Sequence, residues 1–233
     1  MSITVRPAEH RGAVNTGWLN AKHSFSFGEY YDPAHMGFGN LRVINEDRIE
    51  PARGFGTHGH KDMEIVTYII SGALEHKDSM GNGSVIRSGD VQRMSAGTGV
   101  RHSEFNHSAD ELTHLLQIWI LPEAGSIAPG WEEKTFSADD KHNRLKLIAS
   151  RDAREGSLKI HQSLDLYASV LDENTQLTHT LADGHIGWLQ IVRGELSVNG
   201  QLLKSGDGAA IEGVSALTII AADETEFLLF DMV

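Results

Sequence analysis

The chain contains no cysteine. Disulfides and thiolate metal sites are therefore excluded, and any bound metal has to be held by nitrogen and oxygen donors. Positive charge is also in short supply. The formal net charge is −12, which argues against nucleic acid or an anionic membrane as a direct partner. No segment has the length and apolarity of a membrane span, and the polar start, Met1 to Gly12, lacks the apolar core of a signal peptide. A cytoplasmic location is expected. Long amphipathic stretches are few, and no glycine-rich nucleotide fingerprint occurs.

What is present points to β-structure. The 24 glycines punctuate many short apolar runs, which predicts an all-β architecture in a chain long enough to bury a sizeable core. Strands are expected at Leu41 to Ile44, Glu64 to Ile70, Gly72 to Lys77, Ser84 to Arg87, Val91 to Ser95 and Leu115 to Leu121. Glu64 to Ile70 is apolar on both faces and should be interior. A polar stretch from Pro122 to Lys141 reads as an interdomain connection with a short helical turn. Strand signals resume at Leu145 to Ala149, Leu158 to His161, Tyr167 to Leu171 and Gly187 to Val192, and continue to Phe227–Phe230. Near the N-terminus, Trp18, Phe25, Phe27, Tyr30, Tyr31 and Phe38 crowd into about twenty positions. They are expected to pin a loop-rich segment over the core or to line the mouth of a cavity.

The second half echoes the first. Ile70-Ser71-Gly72-Ala73-Leu74 is answered by Val192-Arg193-Gly194-Glu195-Leu196, and Ser88-Gly89-Asp90 by Ser205-Gly206-Asp207. One hairpin unit used twice predicts a duplicated barrel. The expected domains are residues 1–125 and 126–233.

The most informative residues are two donor pairs of the same spacing. His58 and His60 stand one residue apart, and His102 and Glu104 follow with the same spacing. Alternate residues of a strand share a face, so each pair can aim two donor atoms at one point. Three imidazoles and a carboxylate suit a divalent first-row transition metal. Glu64 shares the strand parity of His58 and His60 and is a second carboxylate candidate. The repeat supplies an internal control. The offsets of the four donors from Gly72 and Gly89, carried to Gly194 and Gly206, fall on Thr180, Ala182, Ile219 and Ala221. None of these chelates a transition metal well, and only His179 and His185 lie nearby. The second barrel should be empty. His76 and Asp78 form another His/carboxylate pair, but the Gly81-Asn82-Gly83 turn beside them reads as a solvated hairpin end.

The run Gly54, His58, His60, Glu64, Gly72 resembles the first motif of the cupin superfamily. Gly89, Ala96-Gly97, His102 and Asn106 resemble the second, with Ser95 where proline is usual. A closer resemblance is carried by His23-Ser24-Phe25-Ser26-Phe27, Tyr30-Tyr31-Asp32-Pro33, Thr57-His58-Gly59-His60-Lys61-Asp62-Met63-Glu64 and Ser95 through Glu104. These runs resemble the pirin family, a bicupin branch, and in particular its bacterial members classed as quercetin 2,3-dioxygenases. The resemblance covers nearly the whole chain and is densest from His23 to Asn106.

It implies an all-β bicupin of two antiparallel jelly-roll barrels, with one metal in the N-terminal barrel held by His58, His60, His102 and Glu104. Fe(II) is the expected metal, although the same donors serve Ni, Co, Mn, Cu or Zn. Glu104 and Glu64 are the expected catalytic carboxylates. Glu64 is cast as the outer partner that accepts an imidazole N–H. The expected reaction is O₂-dependent cleavage of quercetin or a related flavonol. The alternative is a metal-containing redox sensor that acts through protein partners.

Overall fold

The computed structural model describes residues 2–233. It contains two compact units, and the division is not a single cut in the chain. The first unit comprises Gly12–Thr135 with Leu158–Gln162. The second comprises the segment up to Arg11, Phe136–Ser157 and Ser163–Val233. The N-terminal strand Ser2–Arg6 belongs to the second unit because it pairs antiparallel with Gly208–Glu212.

Each unit is a jelly roll built from a larger and a smaller antiparallel sheet. In the first unit the larger sheet runs Gly130–Thr135, Asp90–Ser95, Glu64–Ser71, Thr113–Ile120, Leu41–Ile49, Leu19–His23, Gly12–Asn15. Its smaller sheet runs Gly54–His60, Val100–Asn106, Ala73–Asp78, Gly83–Arg87. Glu64–Ser71 is interior, as its continuous apolar run requires, with Asp90–Ser95 and Thr113–Ile120 on its two sides. In the second unit the order Ser2–Arg6, Gly208–Glu212, Ile186–Arg193, Thr225–Met232, Leu164–Leu171, Lys146–Ser150 repeats the larger sheet. Gln176–Thr180, Ala216–Ala221, Glu195–Val198, Gln201–Lys204 repeats the smaller one.

The duplicated hairpin has a backbone cause. Gly72 and Gly194 both hold positive φ, +80° and +82°. A Cβ at Gly72 would lie 2.7 Å from the Leu112 carbonyl oxygen, and one at Gly194 2.4 Å from that of Glu224. Only glycine fits either position. The Gly-Asp turns match as well: Asp90 Oδ2 accepts from the Arg87 N–H at 2.8 Å, and Asp207 Oδ2 from that of Lys204 at 2.9 Å.

The stretch from Pro122 to Lys141 holds more structure than a connection needs. Gly130–Thr135 forms an edge strand against Asp90–Ser95, with Trp131 opposite Met94 and Glu133 opposite Gln92. Its polar, charge-rich sequence is what an exposed edge favours. The expected helical turn is Ala138–Lys141, started by a capping box between Ser137 and Asp140. No helix among the described residues is long and apolar enough to cross a membrane.

The interiors differ. In the first unit an apolar cluster of Ile49, Ile69, Leu74, Ile86 and Leu115 packs beside Trp18, Leu19 and Phe55. Farther along the same two sheets the interior turns polar around a cavity. In the second unit the space between the sheets is filled by Leu196, Val198, Leu217, Ile219, Phe227, Leu229 and their neighbours.

Candidate metal centre

The Val100–Asn106 strand alternates cleanly. Val100, His102, Glu104 and Asn106 are buried, while Arg101 and Phe105 are exposed. The neighbouring Gly54–His60 strand does not alternate so simply. His102 faces His58, but Glu104 faces Phe55, so the register slips by one residue between these pairs. This bulge brings Phe55 and His58, three apart in sequence, into the same cavity. Gly54 permits the close approach: a Cβ there would sit 2.2 Å from the Glu104 carbonyl oxygen.

The result is a knot of three imidazoles. The ring of His58 lies 4.8 Å from that of His60 and 4.5 Å from that of His102. His60 Nε2 and His102 Nε2 are only 2.9 Å apart. One nitrogen from each of the three rings lies within 4.8 Å of the others. His58 Nδ1 is 2.8 Å from the Gly56 carbonyl oxygen, to which it can only donate, and that leaves its Nε2 lone pair for a metal. Burial, then the neighbouring imidazoles, pushes His60 down to about 4 and His102 down to about 3. Both rings are therefore neutral near pH 7, the form a metal requires. Three converging imidazole nitrogens with no thiolate fit a divalent first-row ion.

Glu104 is buried, and Gln117 Nε2 donates to its two oxygens at 3.2 and 3.3 Å. Burial, reinforced by the charge of Asp47, pushes its carboxyl up to about 8. Asp47 is pushed up to about 7 by burial and by Glu46. A cation at the imidazoles would favour the ionised form of a carboxylate so placed. A Glu104 oxygen lies within 4.8 Å of nitrogens of His102 and His76.

His76 was not legible as part of this region. It and Asp78 have fully buried side chains, 3.4 Å apart, rather than forming a solvated hairpin end. Asp78 is held by the Asn82 side chain and by the backbone N–H groups of Met80 and Asn82. The glycine turn thus folds its own carboxylate inward. His76 Nδ1 and His102 Nδ1 are both buried without a hydrogen-bond partner, and their rings lie 5.3 Å apart.

Glu64 has other company. It accepts from Ser95 Oγ at 2.9 Å and from the His161 N–H at 3.2 Å. The imidazole beside it is that of His161, with Nδ1 3.4 Å away, and not one of the triad. Ser95, which replaces the usual proline, is the partner that makes this arrangement possible. Asn106 donates to the carbonyls of Ile49 and Glu111, a structural role.

A cavity of about 290 Å³ opens over the imidazoles, lined by Phe27, Asn45, Asp47, Phe55, His58, His60, Glu104, Gln117 and Trp119. The smaller sheet supplies the donors, and the larger sheet supplies Asn45, Asp47, Gln117 and Trp119. Of the N-terminal aromatics, Phe27 reaches the cavity and meets Trp119 edge-on at 5.3 Å. Phe25 is buried in the core and Tyr31 is exposed.

Among the described residues, the clusters able to hold a metal ion both lie in the first unit. In the second, Leu177 pairs with Ile219 and His179 with Leu217 at the corresponding strand pair. Thr180 and Ala182 are exposed, so the sequence offsets slip on this side. His179 points inward instead, where its Nε2 meets Asp231 at 2.9 Å.

Comparison with known proteins agrees with this architecture. A family model described as Pirin matches residues 4–120, and one described as quercetinase C-terminal cupin domain matches residues 147–232. A quercetin 2,3-dioxygenase of Escherichia coli (strain K12) is 49% identical over 99% of this chain and 98% of its own length. A pirin-like protein of Caulobacter vibrioides is 40% identical over 98% of this chain and 99% of its own. The crystal structure of the bacterial pirin YhhW from Escherichia coli in complex with nickel(II) superposes with a TM-score of 0.95. It shares 48% identity and covers 99% of each chain. With its paired jelly rolls and its imidazole cluster confined to the first of them, the chain belongs to the pirin family of bicupins.

Proposed function

We propose that this protein is a metal-dependent dioxygenase that cleaves quercetin or a related flavonol with O₂. His58, His60, His102 and Glu104 are the metal ligands in this reading, and Fe(II) is the working ion. The observation that carries it is the cavity: His58 and His60 of the imidazole cluster at one end and aromatic walls from Phe27, Phe55 and Trp119. Its 290 Å³ lies at the small end of the range for ligand sites, about 300–1,000 Å³, so it holds one ring system and leaves the rest of a flavonol at the mouth. The naming of the Escherichia coli relative as a quercetin 2,3-dioxygenase, and the nickel(II) bound by YhhW, support the same chemistry.

When bound, the metal supplies a Lewis acid that acidifies an aromatic hydroxyl and orders it for attack by O₂. The chain's own groups do the remaining work. Phe27, Phe55 and Trp119 grip a flat ring and exclude water from it. Gln117 holds Glu104 in place between the sheets. Glu104 completes the ligand set, so the substrate hydroxyl needs another acceptor in the cavity. Glu64, engaged by Ser95 and His161, steadies the strand ends and does not line the cavity.

The test is oxygen uptake with quercetin by metal-reconstituted and metal-free protein, with the flavone that lacks only the 3-hydroxyl as control. Uptake that needs both the metal and the hydroxyl is expected. Quercetin left intact under iron, nickel, cobalt, manganese and copper alike would overturn the reading.

A further inference from the structure

Asp47 is the group in the cavity that nothing so far uses. It comes from the larger sheet, on Leu41–Ile49, and is only 5% exposed. Its Oδ1 is buried and has no hydrogen-bond partner. The other polar groups on the same wall are engaged. Asn45 Oδ1 lies 2.7 Å from His23 Nδ1, Gln117 donates to Glu104, and Trp119 Nε1 donates weakly to Gln117 Oε1 at 3.5 Å. The neighbouring Glu46, on the opposite face of the strand, is held by Arg48 and His114. Among the described residues, no ion pair with a cationic side chain holds Asp47 in the same way.

A buried carboxyl oxygen left unpaired is costly, and folded proteins seldom keep one without a use for it. Burial in the core does not explain it, because Asp47 lines open space and Asn or Leu would fill the strand position at lower cost. The walls on either side are Phe27, Phe55 and Trp119, so the missing partner comes on a flat aromatic body. A cationic group is a poor match for a site whose other end is designed for a metal ion. A ring hydroxyl satisfies both conditions.

We propose that Asp47 is a specificity-determining residue that accepts a hydrogen bond from the 3-hydroxyl of the bound substrate. The inference rests on the flavonol reading above for the choice of ligand. It assigns the larger sheet a direct contact with substrate, opposite the donors of the smaller sheet. It also accounts for a carboxylate that the metal does not need.

The experiment is a cycle in which the protein and the ligand each lose one partner. Wild type and Asp47→Leu are titrated, metal-free, with quercetin and with the flavone that differs only in lacking the 3-hydroxyl. Quenching of tryptophan fluorescence reads the binding, since Trp119 lines the cavity. A hydrogen bond to a charged group is worth about 10- to 100-fold in affinity. Wild type should therefore prefer quercetin by about that factor, and Asp47→Leu, which has no acceptor, should lose the preference while binding the flavone as before. Asp47→Ala, smaller and also without an acceptor, carries the same cycle if the leucine variant does not fold. In the metal-loaded enzyme the same variants should lower kcat/KM for quercetin by a similar factor, with metal content unchanged.

An equal preference for quercetin in wild type and variant would overturn the inference, even if the enzyme turns quercetin over. A lost preference in the metal-free titration sustains it, even if no metal supports turnover. The two failures are thus separable.

Discussion

The two units share a fold and differ in what they put between their sheets. Where the first unit pairs His58 with His102 across adjacent strands, the second pairs Leu177 with Ile219 and His179 with Leu217. The first leaves a cavity that mixes aromatic rings with imidazoles, carboxyls and amides, and the second closes the space with Phe227, Leu229 and the leucines around them. Sheet order, hairpin glycines and Gly-Asp turns are common to both. The scaffold therefore does not dictate the site. Side chains at a few inward positions of the smaller sheet do, and the cost is a set of buried polar atoms, His76 Nδ1, His102 Nδ1 and Asp47 Oδ1, that remain unsatisfied by protein.

The contrast can be broken most severely at the imidazoles. Elemental analysis of His58→Ala/His102→Ala should show a fall from about one metal per chain to almost none, whereas His179→Ala in the second unit should leave the content unchanged. Metal near two per chain in wild type, or retained in the double variant, would mean that the units are more alike than their interiors indicate.

The next largest effect belongs to the filled unit. Phe227→Ala removes a fully buried ring and should cost about 3–5 kcal/mol of stability in denaturant titrations. His58→Ala, made in metal-free protein at a half-buried position beside open space, should cost far less. Comparable losses would show that the cavity side is as tightly packed as the core.

Within the first unit, Glu104→Gln should weaken metal retention more than Glu64→Gln does. Loss of a negatively charged ligand acts directly on the ion, whereas Glu64 engages Ser95 and His161 and none of the three clustered imidazoles. Metal titrations of the two variants decide it, and a larger loss from Glu64→Gln would reverse their roles.

The smallest effect concerns acid. Burial opposes ionisation of Asp231, but hydrogen bonds from His179 and His185 outweigh it and hold the carboxyl below its ordinary value. A depressed carboxylate stabilises the fold above its unfolded pKa, about 4, and that contribution is lost as pH falls through the folded value. Denaturation midpoints should therefore decline more steeply below pH 4 in wild type than in Asp231→Asn. Parallel acid limbs would show that this cluster contributes nothing to the second unit.

Much of this was legible in the chain. Period-two spacing carried His58, His60, His102 and Glu104 to one face, and glycines that tolerate no Cβ announced the repeat. The less legible parts depend on pairing between distant strands. Asp47 and Gln117 carry no motif, and only the facing of Leu41–Ile49 and Thr113–Ile120 toward the smaller sheet brings them to the cavity. A polar pair at alternate positions, Asn45 and Asp47, in a strand otherwise buried was the one available signal. His76 and Asp78 were misplaced because a glycine turn usually marks solvent, and here its aspartate turns back to anchor the turn from inside. The bulge at Gly56 and Thr57 hid the fact that Phe55 and His58 share a side.

The three imidazoles come from two strands that are already hydrogen-bonded to each other, with His58 directly across from His102. A metal held there ties together residues that the backbone ladder has already tied, and so closes no new loop in the unfolded chain. Small zinc domains, by contrast, fold only around their ion. The wall that carries the donors is thus complete without an ion, and metal-free protein is expected to keep its fold. Removing a bound metal and replacing it with another should then leave the circular dichroism of the chain unchanged throughout.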